Sequence, residues 1–193
     1  MQQPHQEEVD FSQYSVLIAE DNNYMRSLLR AMITGFGVRR IFEAADGADA
    51  IAIAIDRRPD IILCDWIMSP VDGRDFVRLL RRDNDPALSR TPVIVISADS
   101  RQSVVIAAMH AGVNHFIAKP LSPARLYERM VATIREPNSL PTMRRREKSN
   151  ISERLERHLK KLEAAKESGK IQEPHRDALE KLVNPILSER TEL

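Results

Sequence analysis

The sequence predicts an α/β fold, a doubly wound parallel sheet of five strands with helices on both faces. Three observations carry the prediction. Short, mostly apolar runs recur between residues 15 and 136, amphipathic segments separate them, and four of the five runs carry a charged or hydroxyl residue at their last or second-last position. Runs that are apolar at consecutive positions suit strands covered on both faces. Parallel strands in turn need crossovers between them, and the amphipathic segments supply these.

The elements follow in chain order. "SVLIAED" (15–21) is the first strand run, and "NYMRSLLRAMIT" after it puts Met25, Leu28, Leu29 and Met32 at helical spacing. "RRIFEAA" (39–45) leads to "DGADAIAIAIDRR", and "DIILCDW" (60–66) leads to "DGRDFVRLLRRD". "PVIVISA" (92–98) precedes "SRQSVVIAAMHAG". "NHFIAKP" (114–120) precedes "SPARLYERMVATIRE", where Ser122 and Pro123 suit an N-cap and first helical position.

Four segments emerge. Residues 1–14 are polar and acidic, a flexible N-terminus rather than a signal peptide. Residues 15–136 form the α/β domain. Residues 137–150, with two prolines and the cluster "MRRRE", read as a linker. In 151–193, Ile151, Leu155, Leu159 and Leu162 share a helical spacing, Gly169 breaks it, and a second helix is expected over about 174–190, interrupted by Pro185.

Composition excludes several classes. Hydrophobic residues at 42 % permit a real core, while 5 % aromatics argue against a stacking platform for nucleic acid. The net charge of +1 steers toward no particular partner. The lone Cys64 allows no internal disulfide, and no apolar run approaches the ~18 residues of a membrane span. The expected location is the cytoplasm.

Open parallel sheets bind ligands beyond the C-terminal ends of their strands, where strand order reverses. The residues ending the runs here are Glu20–Asp21, Asp65, Ser97 and Lys119. Taken singly each has a structural reading: Asp21 as a helix cap, Ser97 as a turn hydroxyl, Asp65 as a hydrogen-bond acceptor. Together they bring three carboxylates, a hydroxyl and an ammonium to one rim. Carboxylates without His or Cys favour a hard oxygen-ligated cation such as Mg²⁺. A carboxylate can also act as the nucleophile in phosphoryl transfer. Residues 1–136 hold 15 arginines and a single lysine, Lys119, so the compact point charge is kept for this rim.

These residues resemble the receiver domain of bacterial two-component response regulators, of the chemotaxis single-domain type. The resemblance rests on Glu20–Asp21, on Asp65 in "DWIMSPVDG", on Ser97–Ala98 after "VIVI", and on Lys119–Pro120. It implies a flavodoxin-like sheet of order 2-1-3-4-5 and a phosphoacceptor, Asp65, that receives its phosphoryl group from a sensor histidine kinase or phosphotransfer protein. It further implies Mg²⁺ held by Asp21, Asp65 and the backbone carbonyl of Ile67, with Glu20 acting through water. Lys119 would contact the phosphoryl group, Ser97 would move to hydrogen-bond it, and Phe116 would be the switch aromatic. Ile67 and Asp99 would tune phosphoryl lifetime. The family often has Met-Pro where this chain has Met68-Ser69-Pro70, so a different course is expected for that loop.

The chain is therefore expected to be a phosphorylation switch acting through protein–protein contacts, not an enzyme of substrate turnover. A phosphatase of the haloacid-dehalogenase type would need a second Asp two residues after Asp65, where Ile67 stands. The expected partners of the C-terminal helices are an output protein or a second copy of the chain. The alternative is a DNA-binding transcriptional regulator, disfavoured because residues 151–193 show no basic recognition face.

Overall fold

The computed structural model describes residues 9–136. The strands are β1 (Ser15–Ala19), β2 (Arg40–Ala44), β3 (Ile61–Asp65), β4 (Val93–Ser97) and β5 (His115–Ala118). All neighbours pair in parallel, in the order β2-β1-β3-β4-β5. The helices are α1 (Asn23–Gly35), α2 (Gly47–Arg57), α3 (Gly73–Arg82), α4 (Pro86–Ser89), α5 (Gln102–Ala111) and α6 (Pro123–Arg135). This is the flavodoxin-like arrangement that the resemblance implies, and the switch point lies between β1 and β3. The expected linker and C-terminal helices lie outside the described residues.

The runs are uninterrupted because successive strand residues face opposite layers and both layers are dry. Ile18, Leu63 and Ile96 pack beneath α1 and α6 with Leu29, Ile33 and Leu126. Leu17, Ile62 and Val95 pack on the other side with Ile51, Phe76 and Ala108 of α2, α3 and α5. Side-chain caps start most of the helices: Asp46 accepts from Ala48 and Asp49, Asp72 from Asp75, and Ser122 from Arg125. Among the described residues no helix is long and apolar enough to cross a membrane.

Three details differ from the sequence reading. Leu28 is 36 % exposed, and Leu29 and Ile33 carry the buried face of α1 instead. The helix meets only one layer, so adjacent leucines cannot both point inward. Residues 11–13 lie in the stretch expected to be flexible, yet they form a 3-10 turn capped by Asp10, which accepts from Ser12. Phe11 anchors this turn, with ring centroids 6.4 Å from Phe36 and 5.5 Å from Tyr127. The single turn α4 is too short to leave a periodic signal.

A half-buried arginine ties the end of the sheet opposite the rim. Arg81 of α3 donates through Nε to Gly112 O (2.9 Å), through one terminal nitrogen to Ser89 O and Thr91 O (3.0 and 2.8 Å), and through the other to Asn114 Oδ1 (3.2 Å). Burial pulls its pKa down to about 10, so it stays charged at neutral pH against neutral oxygens. Replacement by Met keeps the apolar stem but strands those acceptors. Arg81→Met is expected to lose roughly 2 kcal/mol, read as a lowered urea midpoint.

Candidate functional site

The rim is assembled by the register of β1 and β3. Ala19 pairs with Cys64, which places Glu20 and Asp21, just past β1, beside Asp65 at the end of β3. Oxygens of Glu20, Asp21 and Asp65 all lie within 4.8 Å of one another. Asn22, not Asp21, caps α1, its Oδ1 accepting from Met25 N at 3.0 Å. Asp21 is exposed at the tip of the connection.

Lys119, one residue past β5, closes the group. Its Nζ donates to Glu20 Oε2 and to Asp65 Oδ2, each at 3.0 Å. Its backbone N–H donates to Ser97 O at 2.8 Å, so the ends of β4 and β5 are locked together. Glu20 is 1 % exposed, and burial, reinforced by the charge of Asp65, pushes its carboxyl above the ordinary value despite the bond to Lys119. Burial works against the charge of Lys119 as well, but its bonds to Glu20 and Asp65 outweigh it and hold the ammonium above the usual lysine value. The two directions are compatible, because Glu20 is the more deeply buried partner and Lys119 answers two carboxylates.

The remaining residues divide around this centre. Asp65 Oδ1 accepts from Ile67 N at 3.3 Å. Trp66 and Met68 turn into the core, which leaves Ile67 standing 58 % exposed over the rim. Ser97 is fully buried, and its Oγ accepts from Asp99 N at 3.2 Å, so the turn role and a place at the rim coexist. The Asp99 carboxylate is gripped by Arg101 Nε at 2.9 and 3.1 Å, and these bonds lower its pKa. Phe116 is half-buried against the layer that carries α5. Burial raises the Cys64 thiol, which suits an inert core residue.

Two contacts escape sequence reasoning. The NH1 group of Arg26 donates to Glu20 O at 2.6 Å, but nothing marks this arginine among the others in the sequence. Gly73 packs against the backbone of Asp65 and Trp66, and its N–H donates to Trp66 O at 3.2 Å. The Asp-Gly pair at 72–73 signals a helix start, not that approach.

An oxygen-only donor set beside one ammonium, at the switch point of a 2-1-3-4-5 sheet, suits a hard cation and a phosphoryl group. The family model for the response regulator receiver domain matches residues 16–131. The chain belongs to that family. It is a receiver of two-component, phosphorylation-based signalling. Chemotaxis protein CheY-3 of Vibrio cholerae is 31 % identical over 115 residues, 60 % of this chain and 87 % of that protein. The KDP operon transcriptional regulatory protein KdpE of Escherichia coli is 37 % identical over 121 residues. That match covers 63 % of this receiver chain but only 51 % of KdpE, so the chain spans about half the length of that relative. A solved CheX–CheY complex with BeF₃ and Mg²⁺ from Borrelia burgdorferi has a matching chain at 27 % identity and a TM-score of 0.57, covering 63 % of this chain and 89 % of that one.

Proposed function

We propose that Asp65 is the phosphoacceptor of this receiver and that Glu20, Asp21 and Asp65, with the backbone carbonyl of Ile67, hold Mg²⁺, Glu20 acting through water. The observation that carries the reading is the convergence of three carboxylates within 4.8 Å, two of them, Glu20 and Asp65, bridged by Lys119. All the donors are oxygens, the set a hard divalent cation selects. The cation would supply positive charge to the phosphoryl oxygens. The Borrelia CheX–CheY complex contains Mg²⁺ and BeF₃, and the same class of ligand is inferred here.

The chain's own residues would do the rest. A carboxylate oxygen of Asp65 attacks phosphorus as the bond to the donor histidine of a sensor kinase or phosphotransfer protein breaks. Lys119 exchanges its bond to Asp65 for one to the phosphoryl group. Ser97 turns its hydroxyl toward the same oxygens, and Phe116 moves inward behind it. The consequence reaches α5, the least anchored of the longer helices. It has no side-chain N-cap, and only Ala108 and Ala111 are buried along it. The face built by β4, α5 and β5 is thus the switching surface, read by an output protein.

Ile67 and Asp99 would set the phosphoryl lifetime, since an apolar, exposed Ile67 orients water poorly. The output is a protein–protein contact made through residues 151–193, with an output protein or a second copy of the chain, in the cytoplasm. The chain turns over no external substrate. The match to KdpE, which covers only half of that regulator, gives no support to a DNA-binding output.

The test is intact-mass spectrometry after incubation with acetyl phosphate. The wild type should gain one phosphoryl group when Mg²⁺ is present and none with a chelator. Asp65→Asn should gain none, and Ile67→Asn should lose its label several-fold faster than the wild type. Labelling of Asp65→Asn would overturn the assignment, and equal decay of the Ile67 variant would overturn its role.

A further inference from the structure

We propose that Arg26 is the positioning residue of the cation-binding connection, an inference that rests on the phosphoacceptor reading above. Residues 20–22 join β1 to α1 and carry both Glu20 and Asp21. Arg26, in the first two turns of α1 and only 17 % exposed, reaches back over this connection. Its NH1 donates to Glu20 O at 2.6 Å, its NH2 to Asn23 Oδ1, and its Nε lies 3.3 Å from Glu43 Oε2 on β2. One guanidinium thus joins the end of β1, the start of α1 and the neighbouring strand.

The contact to Glu20 O is the informative one. That carbonyl belongs to the peptide that links Glu20 to Asp21, so its orientation sets where the Asp21 side chain leaves the backbone. The opposite side of Glu20 is already fixed, its N–H donating to Ala44 O at 3.1 Å. Arg26 supplies the second hold, and Glu43 keeps the guanidinium in place. Three acceptors in different directions suit the planar fork of arginine, whereas a lysine ammonium reaches them poorly. Arg30 also pairs with Glu43, at 2.5 Å, but from the exposed side.

The sign of the effect separates positioning from electrostatics. A cation beside an acidic site repels Mg²⁺, so removing the charge alone would tighten binding. Removing a positioning contact loosens it, and outer contacts of this kind typically change metal affinity by about 10–100-fold. Arg26→Lys isolates the second effect because the charge is kept.

The experiment is a Mg²⁺ titration of the full chain, followed by fluorescence of Trp66, which is buried next to Asp65. Far-UV circular dichroism of each variant confirms that it is folded. Arg26→Lys should raise the Mg²⁺ Kd at least about fivefold and Arg26→Gln about tenfold. Arg30→Gln should stay within about twofold, as expected for an exposed pair. Glu43→Gln should weaken binding, and adding it to Arg26→Gln should cause no further loss. An Arg26→Lys chain that binds as tightly as the wild type overturns the positioning role. So does an Arg26→Gln chain that binds more tightly. A wild type that shows no saturable Mg²⁺ binding overturns the phosphoacceptor reading itself.

Discussion

Replacing Gly73 by alanine is expected to cost roughly 3 kcal/mol or more of stability and to impair phosphoryl acceptance together with it. A Cβ at this position would collide with the carbonyl oxygen of Asp65 and sit 2.9 Å from Trp66 Cα and 3.1 Å from the Asp65 carbonyl carbon. These are backbone atoms, so no side-chain rotation relieves the clash. Either the start of α3 or the end of β3 must move. The first choice loses the bond from Gly73 N to Trp66 O and disturbs the Asp72 cap; the second moves Asp65, the proposed phosphoacceptor. Gly35 supplies the comparison, because a Cβ there meets nothing within 4 Å. Gly35→Ala should change stability by no more than about 1 kcal/mol, in the favourable direction. Urea unfolding of both variants checks the pair, and a Gly73→Ala midpoint equal to the wild type would contradict the close approach.

That contact also marks the boundary of what the sequence could disclose. The strands were legible because both faces of the sheet are covered, which turns each strand into an unbroken apolar run. Each expected run exceeds the observed strand by one or more residues, and the overhang holds most of the candidate site: Glu20, Asp21 and Lys119 sit just past the strands that deliver them. The rule for open parallel sheets therefore points to the candidate site before any contact is known. What sequence cannot give is the approach of segments distant along the chain. Periodicity marked Leu28 and Leu29 alike, and only the single-sided packing of α1 separates them. Phe11 lay in a polar stretch, and its burial depends on Phe36 and Tyr127 meeting there. Arg26 and Gly73 act on backbone atoms of the site, which carry no residue signature.

Lys119→Met is expected to separate the two states of the site, giving a receiver that binds Mg²⁺ about tenfold more tightly yet no longer switches. The ammonium stands 3.0 Å from both Glu20 and Asp65 and is the internal counter-charge of the cluster. Without it the carboxylates face one another, so the metal-free fold should lose roughly 2 kcal/mol at neutral pH. Two manipulations should restore it. A divalent cation replaces the lost charge, so added Mg²⁺ should raise the urea midpoint of the variant more than that of the wild type. Acid relieves the repulsion by protonating Glu20, whose carboxyl burial already holds above its ordinary value of 4.5. The alkaline limb carries the opposite sign. The folded-state pKa of Lys119 lies above its ordinary value of 10.5, so its contribution is complete below that pH and disappears as pH rises through the folded value. Wild-type stability should therefore show an alkaline loss that Lys119→Met lacks. The gain in Mg²⁺ affinity should bring no signal, because the ammonium proposed to draw the phosphoryl group toward β5 is missing. Acetyl phosphate should then label the variant without producing the change at α5, read as hydrogen exchange over residues 102–111. Exchange that responds to phosphorylation as in the wild type, or Mg²⁺ binding no tighter than wild type, would show that Lys119 does not couple the two events.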